Sequence, residues 1–101
     1  MSITENREDG CVILTVSGEI DGTNVDEFEE KLAKAGSEAD ELVLELGGLV
    51  YISSAVLRSF HQQQKTMQEQ GKRMVLRHVT KEVMDIFTVT GFVRLLEIEE
   101  S

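Results

Sequence analysis

The sequence predicts an α/β fold, in which a small, mainly parallel but mixed sheet is flanked by helices in the order β-β-α-β-α-β-α-β. Short runs such as "CVILTVSG" and "ELVLEL" are almost continuously apolar, which is typical of strands buried on both faces. Segments with apolar residues every three or four positions lie between these runs and indicate helices. Strands that alternate with helices favour a largely parallel sheet. The length of 101 residues and the hydrophobic content of 41% predict one domain over residues 1–101.

The first two strands are predicted to form a hairpin. Residues 3–7 are expected to be an edge strand and residues 11–18 a buried strand. Asp9-Gly10 lies between them, and this pair is a strong turn former. The single cysteine, Cys11, is expected to pack in the second strand as a small apolar residue.

The first helix is predicted over residues 23–36. Asn24 is placed to cap it, with Glu27 three residues later as in a capping box, and Gly36 is expected to end it. The helix is predicted from one apolar stripe with three- and four-residue spacing: Val25, Phe28, Leu32 and Ala35.

The remaining elements follow the same alternation. A strand is predicted at 41–46, a helix at about 54–70 that stops at Gly71, and a strand at 72–78. Thr80 is then expected to cap a short helix that ends at Gly91. The last predicted strand is "VRLLEI", residues 93–98.

Composition excludes several classes of function. The net charge of −9 argues against non-specific binding to nucleic acid and against docking on an anionic membrane. The polar amino terminus lacks the apolar core of a signal peptide, so a cytoplasmic protein is expected. With one cysteine, and with His61 and His78 not at ligand spacing, neither a metal nor another cofactor is expected.

Two adjacent serines, Ser53 and Ser54, stand where the predicted third strand gives way to the second helix, in "GGLVYISSAVLRS". A serine hydrolase is not favoured, because the G-x-S-x-G elbow is absent and His61 lies two helical turns, about 10 Å, beyond Ser54. Phosphate-binding loops of the G-x-x-x-x-G-K-[ST] or G-x-G-x-x-G type are also absent. The sequence therefore does not predict an enzyme.

Two explanations of the serine pair remain open at this point. Serine is a favoured N-cap, so capping is the more common explanation, and one serine satisfies it. If Ser53 caps the helix, the hydroxyl of Ser54 lies at the mouth of the helix. Free backbone N–H groups and the positive end of the helix dipole would stabilise a phosphoryl group there, which makes Ser54 a candidate modification site.

The same segment resembles the signature of STAS domains, the bacterial anti-sigma-factor antagonists, in which a buried strand leads to an aromatic-apolar-[DS]-S-[STA]-G-L pattern. "LTVSGEIDGTNVDEFEEKL" is similar to the family's G-E-[LIF]-D segment before its first long helix. "GKRMVLRHVTKEVMDIFTVTGFVRLLEI" resembles the family's closing segment. Three matches in order, over about 90 residues, make the resemblance more specific than one motif alone.

The resemblance implies a regulator that switches partners and does not catalyse a reaction. An unmodified antagonist binds an anti-sigma factor that is also a serine kinase, and this frees a sigma factor. The kinase phosphorylates a residue at the start of the second helix, here Ser54, the antagonist dissociates, and a serine phosphatase resets the switch. The implied partner-binding residues are Asp21, Gly22, Thr23, Asn24, Ser53, Ala55 and Val56.

One departure from the family pattern leads to an alternative function. Most members have glycine where this chain has Val56, and a β-branched side chain is expected to add bulk where the partner docks. Such bulk slightly favours a constitutive STAS binding subunit of a transport complex, for example on the ATPase of a lipid-transport system, without a phospho-switch. Weak nucleotide hydrolysis is the third hypothesis, and the missing motifs argue against it.

Overall fold

The computed structural model describes residues 1–99, within which four strands form one mixed sheet. The strands are β1 (Ser2–Glu8), β2 (Cys11–Ile20), β3 (Glu41–Ile52) and β4 (Arg73–Arg77). They lie side by side in chain order. β1 pairs antiparallel with β2, whereas β2–β3 and β3–β4 are parallel pairs. The predicted fold class is confirmed.

Three helices connect or follow the strands: α1 (Val25–Glu38), α2 (Ser54–Glu69) and α3 (Lys81–Thr90). A short 3₁₀ turn, Phe92–Arg94, comes after α3. Within residues 1–99, no helix is long and apolar enough to cross a membrane.

Three predicted helix boundaries are confirmed, one by a side-chain capping bond and two by their backbone geometry. The side chain of Thr80 caps α3 by accepting a hydrogen bond of 3.3 Å from the backbone N–H of Val83. Gly91 ends α3 with φ +83°, and Gly71 follows α2 with φ +72°. Both angles lie in the left-handed region that glycine adopts without strain, so these glycines end the helices as expected.

All three helices cover the same face of the sheet. Phe28 of α1 meets Phe60 of α2 edge to face with ring centroids 5.5 Å apart, and Phe60 meets Phe87 of α3 at 6.1 Å. These rings are fully buried in a single core that also contains the inward residues of β2, β3 and β4. Burial of such aromatic side chains is a main source of stability in a domain of this size.

The other face of the sheet carries ion pairs instead of a helix, so the prediction that β2 is buried on both faces is wrong, whereas β3 is buried on both faces at residues 42–44. Arg77 pairs with Glu45 at 2.6 Å and Arg73 with Glu41 at 3.4 Å. Val43 and Val75 lie on this face and are nevertheless buried. Arg73, Arg77 and residues 97–99 line the same depression as these valines, and alkyl stems of arginine can cover apolar surface while the charged ends stay in water.

The structure corrects the predicted end and capping of α1. The helix continues past Gly36, which is buried, and ends at Glu38. A Cβ at Gly36 would overlap Nε2 of Gln63 on α2, so a larger residue there would require the Gln63 side chain to move. Asn24 stands at the N-cap position but makes no side-chain capping bond.

The predicted last strand, residues 93–98, is not formed. Its first residues belong to the 3₁₀ turn, and only Ile98 makes a single parallel bridge, with Leu76. The physical reason is the buried side chain of Gln64, which donates to the carbonyl of Leu95 (3.1 Å) and accepts from the N–H of Glu97 (2.8 Å). Those two backbone groups are therefore not available to a sheet.

β3 is twice as long as the predicted strand at 41–46, because it continues through the Gly47-Gly48 pair. The pairing of β3 with β2 continues through this segment with two shifts of register, one between Thr15 and Ser17 and one between Gly18 and Glu19 of β2. Gly48 lies opposite Ser17, and a Cβ at Gly48 would come within 2.8 Å of the Ser17 Cβ. Glycine is thus required by this close approach of two strands.

Candidate functional site

The candidate site lies where β2 and β3 end together. Ile20 pairs with Ile52 as the last residues of their strands, and the backbone N–H of Ser53 donates a hydrogen bond of 3.0 Å to the carbonyl of Ile20. Because parallel strands end at the same edge, the segments that follow them must be neighbours. The structure therefore places residues 21–24 beside residues 53–56, and we call these two segments together the switch edge.

Asp21 is held by its own loop. Its Oδ1 accepts hydrogen bonds from the backbone N–H of Thr23 (2.9 Å) and from Thr23 Oγ1 (2.6 Å). These two bonds, the side-chain bond first, lower the pKa of Asp21 below its ordinary value. Asp21 therefore presents a fixed negative charge at the switch edge.

Asn24 fastens the loop that carries Asp21. Its Oδ1 accepts from the backbone N–H of Asp21 (2.9 Å), and its Nδ2 donates to the carbonyl of Glu19 (3.0 Å). This explains why the expected capping box with Glu27 is not formed, because the Asn24 side chain points back to the loop. Gly22 is exposed, with open space around it, so sterics do not require glycine there.

Ser53 is at the N-cap position of α2, but its side chain makes no capping bond. The N–H of Val56, the usual partner of a capping side chain, bonds to the carbonyl of Ser53 at 3.0 Å instead. Among the residues that the structure describes, Ser53 Oγ is the one buried side-chain polar atom without a hydrogen-bond partner. The expectation that the Ser53 hydroxyl caps α2 is therefore wrong.

Ser54 is the first residue of α2 and its side chain is exposed. The first turn of a helix has unpaired backbone N–H groups and the positive end of the dipole, which favour an added negative group. Ala55 beside it is partly buried. Ser54 is thus accessible at a position where a phosphoryl group could be accommodated.

Val56 does not lie on the surface, and the expectation that its bulk meets a partner is wrong. Its side chain is 0% exposed and belongs to the core. The sequence contained the signal, since Val56 falls in helical register with Phe60 and Met67, which are also buried. The family pattern suggested that Val56 is a surface residue, whereas the helical period predicts that it lies in the core.

Two exposed apolar residues at the end of β3 were missed by the sequence reasoning. Val50 is 58% exposed and Tyr51 47% exposed, directly before Ile52 and the switch edge. Exposed apolar and aromatic side chains beside polar ones are typical of protein-binding surfaces. Val50 has no partner in the β2–β3 pairing, because the register shifts between Leu49 and Tyr51, and an alternating pattern could not predict this irregularity.

The histidines and the possible metal ligands lie elsewhere. The ring of His61 packs edge to face on Phe92, and Nδ1 of His78 pairs with Glu45. Across residues 1–99, no three His, Cys, Asp or Glu side chains are grouped so that they could hold a metal ion. The side chains brought together at the switch edge are suited to binding another protein.

Comparison with known proteins gives a consistent result. The family model described as "Mlab, STAS domain" matches residues 3–97. BtrV of Bordetella bronchiseptica is described as a candidate anti-sigma factor antagonist. It is 29% identical to this chain over 102 residues, which cover 100% of this chain and 88% of BtrV.

Solved structures share the fold at low sequence identity. The anti-sigma factor antagonist SpoIIAA in its unphosphorylated form has a TM-score of 0.80 and 14% identity, covering 99% of this chain and 90% of SpoIIAA. The phosphorylated form of SpoIIAA from Bacillus has a TM-score of 0.74 and 13% identity, covering 99% and 93%. An anti-sigma factor antagonist from Mycobacterium paratuberculosis has a TM-score of 0.87 and 16% identity, covering 99% and 86%.

Proposed function

This chain belongs to the STAS domain family, and on that premise we propose that it is an anti-sigma-factor antagonist that acts by binding and not by catalysis. Its partner is an anti-sigma factor of the serine-kinase type, and the chain works as a single domain in the cytoplasm. Phosphorylation of Ser54 releases the partner, and a serine phosphatase restores the binding form. Support comes from BtrV and SpoIIAA, whose names describe anti-sigma factor antagonists.

The observation that carries the proposal is the hydrogen bond between Ser53 and Ile20. It joins the loop that holds the Asp21 carboxylate to the first turn of α2, where Ser54 is exposed. Val50 and Tyr51 add exposed apolar area beside them. A fixed charge, an exposed hydroxyl and apolar side chains are thus presented on one continuous edge, as a protein-binding surface requires.

The proposed switch follows from electrostatics. A phosphoryl group on Ser54 adds a charge of nearly −2, beside the loop that carries the charge of Asp21. Within a partner interface this charge would be desolvated and would be repelled by Asp21. The isolated protein would tolerate the modification, because the α2 N-terminus stabilises negative charge.

The proposal is tested by mixing the protein with anti-sigma-type serine kinases from the same organism and ATP, and by locating the modified residue with mass spectrometry. We expect phosphate on Ser54 in the wild type and none in Ser54→Ala. Ser59→Ala is a matched control, because the Ser59 hydroxyl is inside α2 and bonded to the carbonyl of Ala55. Phosphate on another residue, or no phosphate with a kinase shown to be active on a known antagonist, would contradict the switch.

A second candidate function is a constitutive STAS subunit of a lipid-transport complex, bound to its ATPase without a phospho-switch. The observation that favours it is the matching family model, which is described as "Mlab, STAS domain". Val56 no longer favours it, because that side chain is in the core. Affinity purification separates the two: recovery of a transporter ATPase without an anti-sigma kinase would support the second candidate.

A further inference from the structure

The first turn of α2 is bonded differently from the first turn of α3. In α3 the carbonyl of Thr80 accepts from the N–H of Met84, and the Thr80 hydroxyl accepts from the N–H of Val83. In α2 the carbonyl of Ser53 accepts from Val56, only three residues on, which is the spacing of a 3₁₀ turn. The carbonyl thus takes the N–H that a capping hydroxyl would use, and within residues 1–99 the buried Ser53 hydroxyl has no partner.

The Ser53 hydroxyl is therefore a donor without a role in the unmodified protein. A buried hydroxyl without a partner costs free energy, and alanine at this position would avoid that cost. Ser53 stands one residue before the exposed side chain of Ser54. An N-cap side chain reaches the first-turn N–H groups by rotation about one bond, and an anion attached to Ser54 would lie at the same N–H groups.

Arg58 is a second group close to Ser54. It follows four residues later in α2, on the same side of the helix, and both side chains are exposed. Side chains of a helix lean towards its N-terminus, so an arginine covers the turn that precedes its own position. An anion four residues before a cation is also the favourable order for such a pair.

Within residues 1–99, Arg58 has no carboxylate in an ion pair with it. The ion pairs of that part of the chain use the other cations Arg7, Arg73, Arg77, His78 and Lys81. The net charge of the chain is −9, so acidic groups are in excess, yet this guanidinium is not paired with one. A cation and a hydroxyl donor, both without a partner, thus stand on either side of Ser54.

We propose that a phosphoryl group on Ser54 is bound by this chain itself, through the guanidinium of Arg58 and the hydroxyl of Ser53. This inference rests on the proposed modification of Ser54. Both groups donate hydrogen bonds to phosphoryl oxygens, together with the free N–H groups of the first turn. The charge of Arg58 offsets the repulsion from the Asp21 carboxylate in the neighbouring loop. Modification therefore also removes a free guanidinium from the surface beside the switch edge.

The test is a ³¹P NMR titration of the full chain with phosphoserine inserted at position 54 during translation. Hydrogen bonds and positive charge favour the doubly charged phosphoryl group and lower its second pKa. Arg58→Gln and Ser53→Ala are each expected to raise that pKa by about 0.3 unit or more. Arg94→Gln, a matched control that removes an exposed arginine outside α2, should change it by less than about 0.1 unit.

The unmodified variants guard against misfolding. Because neither group has a partner before modification, unmodified Ser53→Ala and Arg58→Gln should keep the wild-type urea midpoint, and only their phosphorylated forms should lose stability. An unchanged phosphate titration in either variant would overturn the proposal. Equal destabilisation of the unmodified and phosphorylated forms would also overturn it, since the residue would then act on the fold alone. Phosphoserine is installed directly, so the result is independent of whether a kinase modifies Ser54.

Discussion

The backbone N–H of Ser53 donates to the carbonyl of Ile20 at 3.0 Å, and this bond ties the start of α2 to the end of β2. Two segments 32 positions apart in sequence thereby become one edge. The side chains at that edge are held by few bonds, most of them within the loop 21–24. The predictions below test those bonds and the strand contacts that bring the two segments together.

Thr23→Val is expected to raise the pKa of Asp21. The substitution removes the Thr23 hydroxyl, which donates the 2.6 Å bond to Asp21 Oδ1, while the backbone bond remains. A carboxyl whose pKa is lowered by folding adds stability above its unfolded pKa, and that stability is lost as pH falls through the folded value. Since Thr23→Val brings the folded pKa of Asp21 closer to its unfolded value, the variant should be less stable at neutral pH and should lose less stability on acidification than the wild type.

The measurement is the ¹³C carboxyl shift of Asp21 followed through an acid titration. Thr23→Ser is the matched control, because it keeps the hydroxyl donor and should keep the wild-type pKa. An unchanged Asp21 titration in Thr23→Val would show that the hydroxyl does not hold the carboxylate.

Asn24→Ala is expected to lower the free energy of unfolding by about 1–2 kcal/mol, because it removes two hydrogen bonds of the loop. Asn24→Asp keeps the acceptor for the Asp21 N–H and loses the donor to Glu19, so its free energy of unfolding should lie between those of the wild type and Asn24→Ala. Urea unfolding measures both. Ser37→Ala, which removes an exposed bond within α1, should change stability by less than about 0.5 kcal/mol.

Gly48→Ala is expected to destabilise the protein by about 1–3 kcal/mol, since the new Cβ would be 2.8 Å from the Ser17 Cβ. The pair Gly48→Ala/Ser17→Gly removes that overlap and should recover part of the loss. A double-mutant cycle by thermal unfolding gives the coupling free energy. Additive effects of the two substitutions would mean that the strands do not approach as described.

Gln64→Leu is expected to release the carboxyl-terminal segment, because the Leu95 carbonyl and the Glu97 N–H lose their partner. Each buried group left without a partner costs about 1–3 kcal/mol. Hydrogen exchange should become faster at Glu99, whose N–H bonds to the carbonyl of Leu76. Gln68→Leu, at an exposed position of the same helix, should leave that exchange rate unchanged.

Much of the fold followed from the sequence, because the apolar period and the turn residues act locally. The Thr80 cap and the ends at Gly71 and Gly91 were predicted from residue type alone, and the structure confirms them. The structure places loop 21–24 beside the start of α2, as parallel strands that end at one edge require.

The features that were predicted wrongly depend on contacts distant in sequence. Glycine is a common helix terminator, but α1 continues past Gly36, which is buried beside the side chains of Gln63 and Met67 on α2. The predicted last strand does not form, because the side chain of Gln64 on α2 is hydrogen-bonded to the Leu95 carbonyl and the Glu97 N–H, which a strand would use for pairing. Val56 was assigned to the surface by position in a family pattern, although its helical register with Phe60 placed it in the core.

The central claim is that the unmodified switch edge binds an anti-sigma factor and that phosphate on Ser54 abolishes the binding. Isothermal titration of a cognate anti-sigma kinase with the unmodified and the Ser54-phosphorylated protein tests it most directly. We expect the phosphorylated form to bind at least about a hundredfold more weakly, in line with the cost of burying an unpaired charge. Equal affinity of the two forms would contradict the account.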